Sequence, residues 1–235
     1  MKPAPRKLSR KEKDRRQGLE TNLHVRSFDA KQSADDFLQL PRLPVSVILD
    51  NLRSAFNVGS IIRTADCVRA EKIHFCGYTA HPPHAKLEKT ALGAMPYVPW
   101  EYHESATQVM EQIRGTGRPV IALETTNQSH GLWEYAFPLP CTLVLGNEAL
   151  GVSGHVLEMA DDIVEIPMMG FKNSVNVAVA FGIAVYEIQR QYWPGMSKHW
   201  QEHRYIIQGG NDDQKNRSPD RSSHQSGSPE HEPLP

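Results

Sequence analysis

The chain has 235 residues, enough for one large domain with tails or for two small domains, and its formal net charge is −1. No run approaches 18 consecutive apolar residues, and no apolar stretch follows the basic N-terminus, which excludes a spanning helix and a secretory signal. The three cysteines form no Cys-x-x-Cys pair, and the eleven histidines lack ligand spacing. We therefore expect a cytoplasmic protein with no membrane partner and no metal, whose cysteines are small buried side chains.

The charge is concentrated at the N-terminus. Residues 1–16 contain eight lysines and arginines against two acidic residues, a net charge of +6. Such a block is either a phosphate-binding arm or a solubilising tail, and charge alone does not separate the two. We divide the chain into a basic arm and linker over 1–44, a folded domain over 45–193 and an extension over 194–235. The extension is expected to be disordered from about residue 209, where apolar periodicity ends.

Between residues 45 and 193, short apolar runs alternate with helical patterns. Strands are predicted at 45–49, 72–77, 119–124, 141–146 and 162–167. Helices are predicted at 58–70, 104–117 with Ser105 as N-cap, 153–160, and 174–193 ending at Pro194. Strands of five or six residues separated by helices indicate an α/β fold, with a mostly parallel sheet and helices on both faces.

Three strand-to-turn segments carry polar residues that structure alone does not explain well. The first, "DNLRSAFNVGSIIRTAD", contains Asn57 and Arg63; the second, "LVLGNEALGVSG", contains Glu148; the third, "EIPMMGFKNSVNVAVA", contains Ser174 and Asn176. Asn57, Ser60 or Ser174 could be helix caps, and Glu148 could cap a helix from a glycine loop. Ligands of open α/β sheets bind at the carboxyl edge, where all three segments are expected to lie.

Together these segments resemble the three motifs of the SpoU/TrmH branch of the SPOUT RNA methyltransferases. "NVGSIIRTAD" at 57–66 resembles the first motif, "LVLGNEALGVS" at 143–153 the second and "IPMMGFKNSVNVAVA" at 166–180 the third, while "KTALGAMPYVPW" at 89–100 matches a further segment. Val175 replaces a more usual leucine. The resemblance covers about 45–193 and implies a C-terminal trefoil knot, a homodimer, S-adenosylmethionine as methyl donor, and methyl transfer to a ribose 2′-hydroxyl.

The resemblance also implies roles for individual residues. It makes Arg63 the catalytic arginine, and places in the same site Asn57, Glu148, Ser174 and Asn176. The donor would be held by Leu145, Gly146, Asn147, Gly151, Ile166, Met168, Ser174 and Val175. The charge of the arm, rather than the resemblance, suggests RNA-binding residues, and we expect RNA to be bound by Arg6, Lys7, Arg10, Lys11, Arg15, Arg16 and Arg53. Because arginine keeps its proton at neutral pH, we expect Arg63 to stabilise a developing alkoxide, although a general-base role stays open.

Two alternatives to ribose methylation are also considered. Other SPOUT branches methylate a nucleobase, but the Asn57 and Arg63 pair favours the ribose. An RNA-binding module without catalysis is opposed by the joint presence of Arg63, Glu148, Ser174 and Asn176. Among RNAs we expect tRNA rather than rRNA, because the chain shows a basic arm in place of the folded N-terminal domain that some rRNA-acting relatives carry.

Overall fold

A computed structural model describes residues 38–207, with side chains through residue 192. The chain divides into two compact units. The unit Ser33–Trp200 contains the whole sheet. The unit formed by Met1–Gln32 and Gln201–Pro235 is described only at 201–207, which are helical. The predicted basic arm and the predicted disordered tail lie outside the described residues.

Seven strands form one sheet in the order β3-β2-β1-β6-β4-β7-β5, and every strand pair in it is parallel. The strands are β1 (Leu43–Asp50), β2 (Ala70–Cys76), β3 (Trp100–His103), β4 (Val120–Leu123), β5 (His130–Gly131), β6 (Cys141–Leu145) and β7 (Asp162–Glu165). The helices are α1 (Ala55–Cys67), α2 (Ala85–Ala91), α3 (Ala106–Arg114), α4 (Gly154–Met159) and α5 (Val177–Ile207), with a 3₁₀ turn at Met95–Tyr97. The predicted parallel α/β fold is confirmed.

The sheet is covered on both faces, which explains why its central strands are almost uniformly apolar. Val47 and Leu49 of β1 pack in a core with residues of α1, α2 and α5. Ile48, between them, faces the opposite way and packs in a second core with residues of α3 and α4. Adjacent residues of a strand point to opposite faces, so both cores need apolar side chains from the same strand.

One polar pair interrupts this apolar interior. Ser46 of β1 and Thr142 of β6 are directly opposite each other in the ladder, and their hydroxyls hydrogen-bond at 2.7 Å. The two residues are 2% and 0% exposed, so each hydroxyl depends on the other for a partner.

Several predicted details are corrected. The last helix does not end at Pro194 but continues to Ile207, because a proline inside a helix removes one hydrogen bond while the remaining turns keep theirs. Ser54, not Asn57 or Ser60, caps α1 by accepting from the Asn57 backbone N–H. Ser105 caps α3 as predicted. Cys76 and Cys141 are buried, but Cys67 is exposed because it lies on the outer face of α1.

Four elements were not predicted: α2, the 3₁₀ turn, β3 and β5. Over the part of the chain that the structure describes, no helix combines the length and apolarity needed to cross a bilayer.

Candidate active site

The site is built on three neighbouring strands. β1, β6 and β4 are adjacent and parallel, and Leu49, Leu145 and Leu123 lie side by side in the ladder. The turns that follow these strands therefore emerge at one edge of the sheet. This carboxyl edge, at the centre of an open α/β sheet, is where ligands bind.

Glu148, which follows β6, is held by donors from the turn after β1. Its Oε2 accepts from the Arg53 backbone N–H at 2.7 Å, and its Oε1 accepts from the Ser54 backbone N–H at 3.0 Å. The Asn57 side chain donates to the same Oε1 at 2.8 Å. The carboxylate thus occupies the N-terminal end of α1, where unpaired N–H groups and the helix dipole favour a negative charge.

These donors also set the charge state of Glu148. Burial alone raises the pKa of this carboxyl, but the hydrogen bonds from the Arg53 backbone, the Asn57 side chain and the Ser54 backbone outweigh burial and lower the pKa overall. Glu148 is therefore a carboxylate at neutral pH, and its oxygens act as fixed acceptors.

Asn176 extends this network to the third segment. Its Nδ2 donates to Asn57 Oδ1 at 3.0 Å, while its Oδ1 accepts from the backbone N–H groups of Ala178 and Val179 at 3.0 and 3.4 Å. Asn176, rather than the predicted Ser174, therefore caps α5. Glu148, Asn57 and Asn176 form a chain of hydrogen bonds that joins segments 91 and 119 residues apart in sequence.

Arg63 and Ser174 are not part of this chain of hydrogen bonds. Both side chains are exposed, and among the described residues neither has a hydrogen bond to Asn57, Glu148 or Asn176. Arg63 lies six residues after Asn57 on α1, about 9 Å further along the axis and on a different side of the helix. It shares the exposed side of α1 with Phe56, Ser60 and Cys67, at helical spacing.

The loop after β6 is closed tightly. The backbones of Asn147 and Gly151 exchange two hydrogen bonds, N–H to O, of 3.0 and 2.8 Å. The buried Asn147 side chain donates to the Asn51 carbonyl at 2.7 Å and to the Tyr78 hydroxyl at 2.6 Å. Asn147 therefore fixes this loop against the turn after β1. A Cβ at Gly146 would collide with the backbone of Gly151 and Val152, so the loop requires glycine there.

Two carboxylates at this edge were missed by the sequence analysis. Glu124, just after β4, accepts from the Val152 backbone N–H at 2.8 Å. Asp50, the last residue of β1, is 4% exposed; burial raises the pKa of its carboxyl, and hydrogen bonds from Ser153 and Asn51 oppose that rise. The sequence contained a signal for both carboxylates, because each acidic residue comes directly after a run of apolar residues in a strand. Glu148 comes three residues after a third such run.

The other predicted site residues differ in their exposure. A cleft of about 370 Å³ is lined by Arg53, Ser54, Asn57 and Glu148. Of the predicted donor-binding residues, Leu145 and Gly146 are buried, Ile166 and Met168 are half-buried, and Val175 is exposed. A larger cleft, about 690 Å³, opens at the amino ends of the strands and contains none of the predicted site residues.

Comparisons with known proteins identify relatives of known activity. The chain is 34% identical over 146 residues to the tRNA (guanosine(18)-2′-O)-methyltransferase of Aquifex aeolicus, covering 62% of this chain and 68% of that protein. The crystal structure of the A. aeolicus TrmH/SpoU tRNA modifying enzyme superposes with a TM-score of 0.60 at 28% identity, covering 74% of this chain and 83% of that one.

An AdoMet-bound rRNA methyltransferase from Sinorhizobium meliloti has a TM-score of 0.59 at 27% identity, covering 65% of this chain and 61% of that one. The chain spans between 56% and 68% of the length of three curated relatives. The family model described as the SpoU rRNA methylase family matches residues 44–186. This range contains all three polar segments, and it contains the whole sheet apart from the first residue of β1. The chain therefore belongs to the SpoU methylase family.

Proposed function

We propose that this protein transfers a methyl group from S-adenosylmethionine to a ribose 2′-hydroxyl of structured RNA, with tRNA favoured over rRNA. The observation that carries the proposal is the hydrogen-bonded chain Glu148–Asn57–Asn176 at the carboxyl edge of the sheet. It joins the three polar segments that distinguish the family. The preference for tRNA is supported by the activity named for the A. aeolicus relative.

The loops after β6 and β7 fit the methyl donor. The first is held closed by Asn147 and Gly151 and leaves Leu150 84% exposed; the second leaves Met169 and Phe171 each 99% exposed. Exposed apolar side chains beside backbone-lined turns suit a ligand with an adenine ring and a polar amino-acid tail. The residues proposed to hold it are Leu145, Gly146, Asn147, Gly151, Ile166, Met168, Ser174 and Val175. When bound, the donor supplies an electrophilic methyl group on a sulfonium.

The chain's own residues prepare the nucleophile. Glu148 and Asn176 fix the orientation of the Asn57 amide, because one end of that amide donates and the other accepts. Arg63 stabilises, through its positive charge, the negative charge that develops on the ribose oxygen. The 2′-hydroxyl proton passes to a phosphate or to water. Arg53, which lines the cleft, binds RNA phosphate. The proposed reaction uses no metal ion.

We further infer a homodimer, because Arg63 shares its exposed face of α1 with apolar surface. Phe56 of α1 and Val179 and Tyr186 of α5 are 55%, 52% and 51% exposed. The inner faces of α1 and α5 pack in the same core, so their outer faces lie on the same side of the sheet. A second copy seated on this surface would cover it and bring Arg63 to a composite site. We also infer the family's trefoil knot, formed by the segments after β6 and β7.

Two other functions would be distinguished by the experiment described below. A nucleobase methyltransferase would use the same donor on another acceptor atom, and an inactive RNA-binding module would use none. We place the protein in the cytoplasm, where its three free cysteines and its proposed RNA substrates both belong.

Arg63→Ala should abolish methyl transfer to tRNA while S-adenosylmethionine still binds, because Arg63 lies outside the donor loops. The measurement is tritium transfer from labelled donor, with donor affinity by calorimetry and product analysis for 2′-O-methyl nucleosides. Arg114→Ala, at an arginine in the last turn of α3, is the matched control.

More than a few per cent of wild-type turnover in Arg63→Ala would remove the role given to Arg63. Methylated bases as the product would select the nucleobase alternative, and a wild-type protein that binds RNA but not the donor would select the inactive module.

A further inference from the structure

A second cluster of chemically active side chains lies away from the network described above. His74 of β2 and Glu101 of β3 are directly opposite each other in the ladder, and His103 is opposite Cys76. Since residues two apart in a strand point to the same face, these three side chains share one face of the sheet. The sequence analysis missed them because the ligands come from two strands and have no characteristic spacing along the chain.

The polar atoms of this cluster converge. His74 Nδ1 lies 3.1 Å from His103 Nε2, while Glu101 Oε2 lies 3.8 Å from His74 Nδ1 and 3.6 Å from His103 Nε2. A circle through three atoms with these separations has a radius of about 2.0 Å, which matches zinc–nitrogen and zinc–carboxylate bond lengths.

Neighbouring residues hold this cluster in place. Lys72 Nζ donates to Glu101 Oε1 at 2.6 Å, which fixes the carboxylate with its other oxygen toward the histidines. The His74 and His103 side chains are 10% and 11% exposed, whereas Glu101 is 49% exposed and leaves a path from solvent.

We propose that His74, Glu101 and His103 form a binding site for a divalent transition metal, best matched by Zn²⁺, that links β2 to the edge strand β3. The ligand atoms are His74 Nδ1, His103 Nε2 and Glu101 Oε2, and water completes the coordination from the exposed side. When the metal binds, the ring that donates in the hydrogen bond between the two imidazoles loses that proton to solvent and regains one on its other nitrogen, so both rings stay neutral and each carries its proton on the nitrogen facing away. Two imidazoles and a carboxylate are a ligand set that zinc accepts in proteins.

The metal's role in this position is structural. β3 has four residues, lies at the end of the sheet and pairs only with β2 among the described strands. A short edge strand is the part of a sheet most readily lost, and a cross-link to its neighbour opposes local opening. The site shares no residue with the Glu148–Asn57–Asn176 network, so the inference is independent of the proposed function.

The test is a titration of the full chain, freed of any affinity tag and stripped with a chelator, with Zn²⁺ in competition with a chromophoric chelator. The expected result is one Zn²⁺ per chain, with Glu101→Gln weakening the affinity about tenfold or more and His103→Ala abolishing binding. The matched control is His155→Ala. Its side chain forms an exposed histidine–carboxylate pair with Glu158 at 3.6 Å, and its loss should leave the titration unchanged.

Glu101→Gln keeps an oxygen for Lys72 and lies at an exposed position, so it separates loss of a ligand from loss of fold. Circular dichroism of this variant should match the wild type, and Co²⁺ bound to the wild type should show d–d absorption that the variant lacks. Absence of stoichiometric Zn²⁺ binding in the wild type, or binding retained unchanged in folded Glu101→Gln and His103→Ala, would overturn the proposal.

Discussion

Gly151 shows how a single residue determines the shape of the proposed donor loop. Its φ is +71°, a backbone conformation that residues with a Cβ adopt at a cost of about 1–2 kcal/mol. A Cβ there would also collide with the carboxylate of Glu124, which holds the Val152 N–H. Both the backbone conformation and the neighbouring carboxylate therefore favour glycine at this position.

Gly151→Ala should weaken binding of S-adenosylmethionine about tenfold, because the loop must shift both its backbone and Glu124 to accept a methyl group. Calorimetry of donor binding is the measurement. Gly154→Ala is the control, since Gly154 has an ordinary φ and a Cβ there would meet open space. Equal donor affinity in the two folded variants would show that this loop does not hold the donor.

Asn176 matters at the scale of an element, because it both begins α5 and joins that helix to α1. Its side-chain oxygen accepts from the first free backbone N–H groups of α5, and its side-chain nitrogen donates to Asn57. Aspartate is as good a helix cap as asparagine but has no amide to donate. The two roles can therefore be separated by substitution.

Asn176→Asp should preserve thermal stability but lower methyl transfer at least tenfold, since the cap survives and the orientation of Asn57 is lost. Asn176→Ala should lose both, with a stability cost of about 1 kcal/mol for the missing cap. Thermal unfolding and the tritium assay measure the two effects. If Asn176→Asp is fully active, the link to Asn57 is only structural.

Most elements of the fold were predictable because apolar periodicity is a local signal. The runs at 45–49, 119–124 and 141–146 are buried strands, as predicted. β3 was missed because Trp100–His103 has four residues with mostly exposed side chains, and β5 because it has only two residues. The predicted end of α5 was wrong because the helix continues past Pro194, where the proline removes one backbone hydrogen bond but leaves those of the other turns.

The site was predictable as a set of residues but not as a geometry. The resemblance named Asn57, Glu148 and Asn176, and the structure brings them into one network. Sequence could not show that Glu148 accepts from the turn that leads into α1, because that contact joins residues more than ninety positions apart. That Arg63 lies on a different side of α1 from Asn57 could have been predicted, because six residues turn an α-helix by about 240° beyond one full turn.

At the scale of the whole molecule, the outer surface of α1 and α5 forms the proposed dimer interface. Tyr186→Glu should convert a dimer to a monomer, because it places a charge in the middle of an apolar contact. Light scattering after size exclusion measures the mass, and Trp133→Glu, at a similarly exposed aromatic residue outside α1 and α5, is the control. A wild-type protein that is monomeric at micromolar concentration would contradict the dimer.

The basic arm supplies a second prediction at this scale. Deleting residues 1–31 should weaken binding of all RNAs alike and leave donor affinity unchanged, because the +6 block meets phosphates and not bases. If about four basic side chains contact phosphate, the slope of log affinity against log salt should fall by roughly 3. Slopes that agree within error for both proteins would leave the arm as a solubilising tail.

The buried hydroxyl pair of Ser46 and Thr142 has a consequence for how the chain finds its fold. β1 and β6 are both apolar runs, so hydrophobic burial alone would tolerate sliding one strand past the other. Only the native alignment lets the two hydroxyls meet, and a slip would leave the fully buried Thr142 hydroxyl without this partner, at a cost of about 1–3 kcal/mol. The pair thus discriminates against misaligned sheets and fixes the alignment on which the carboxyl-edge turns depend.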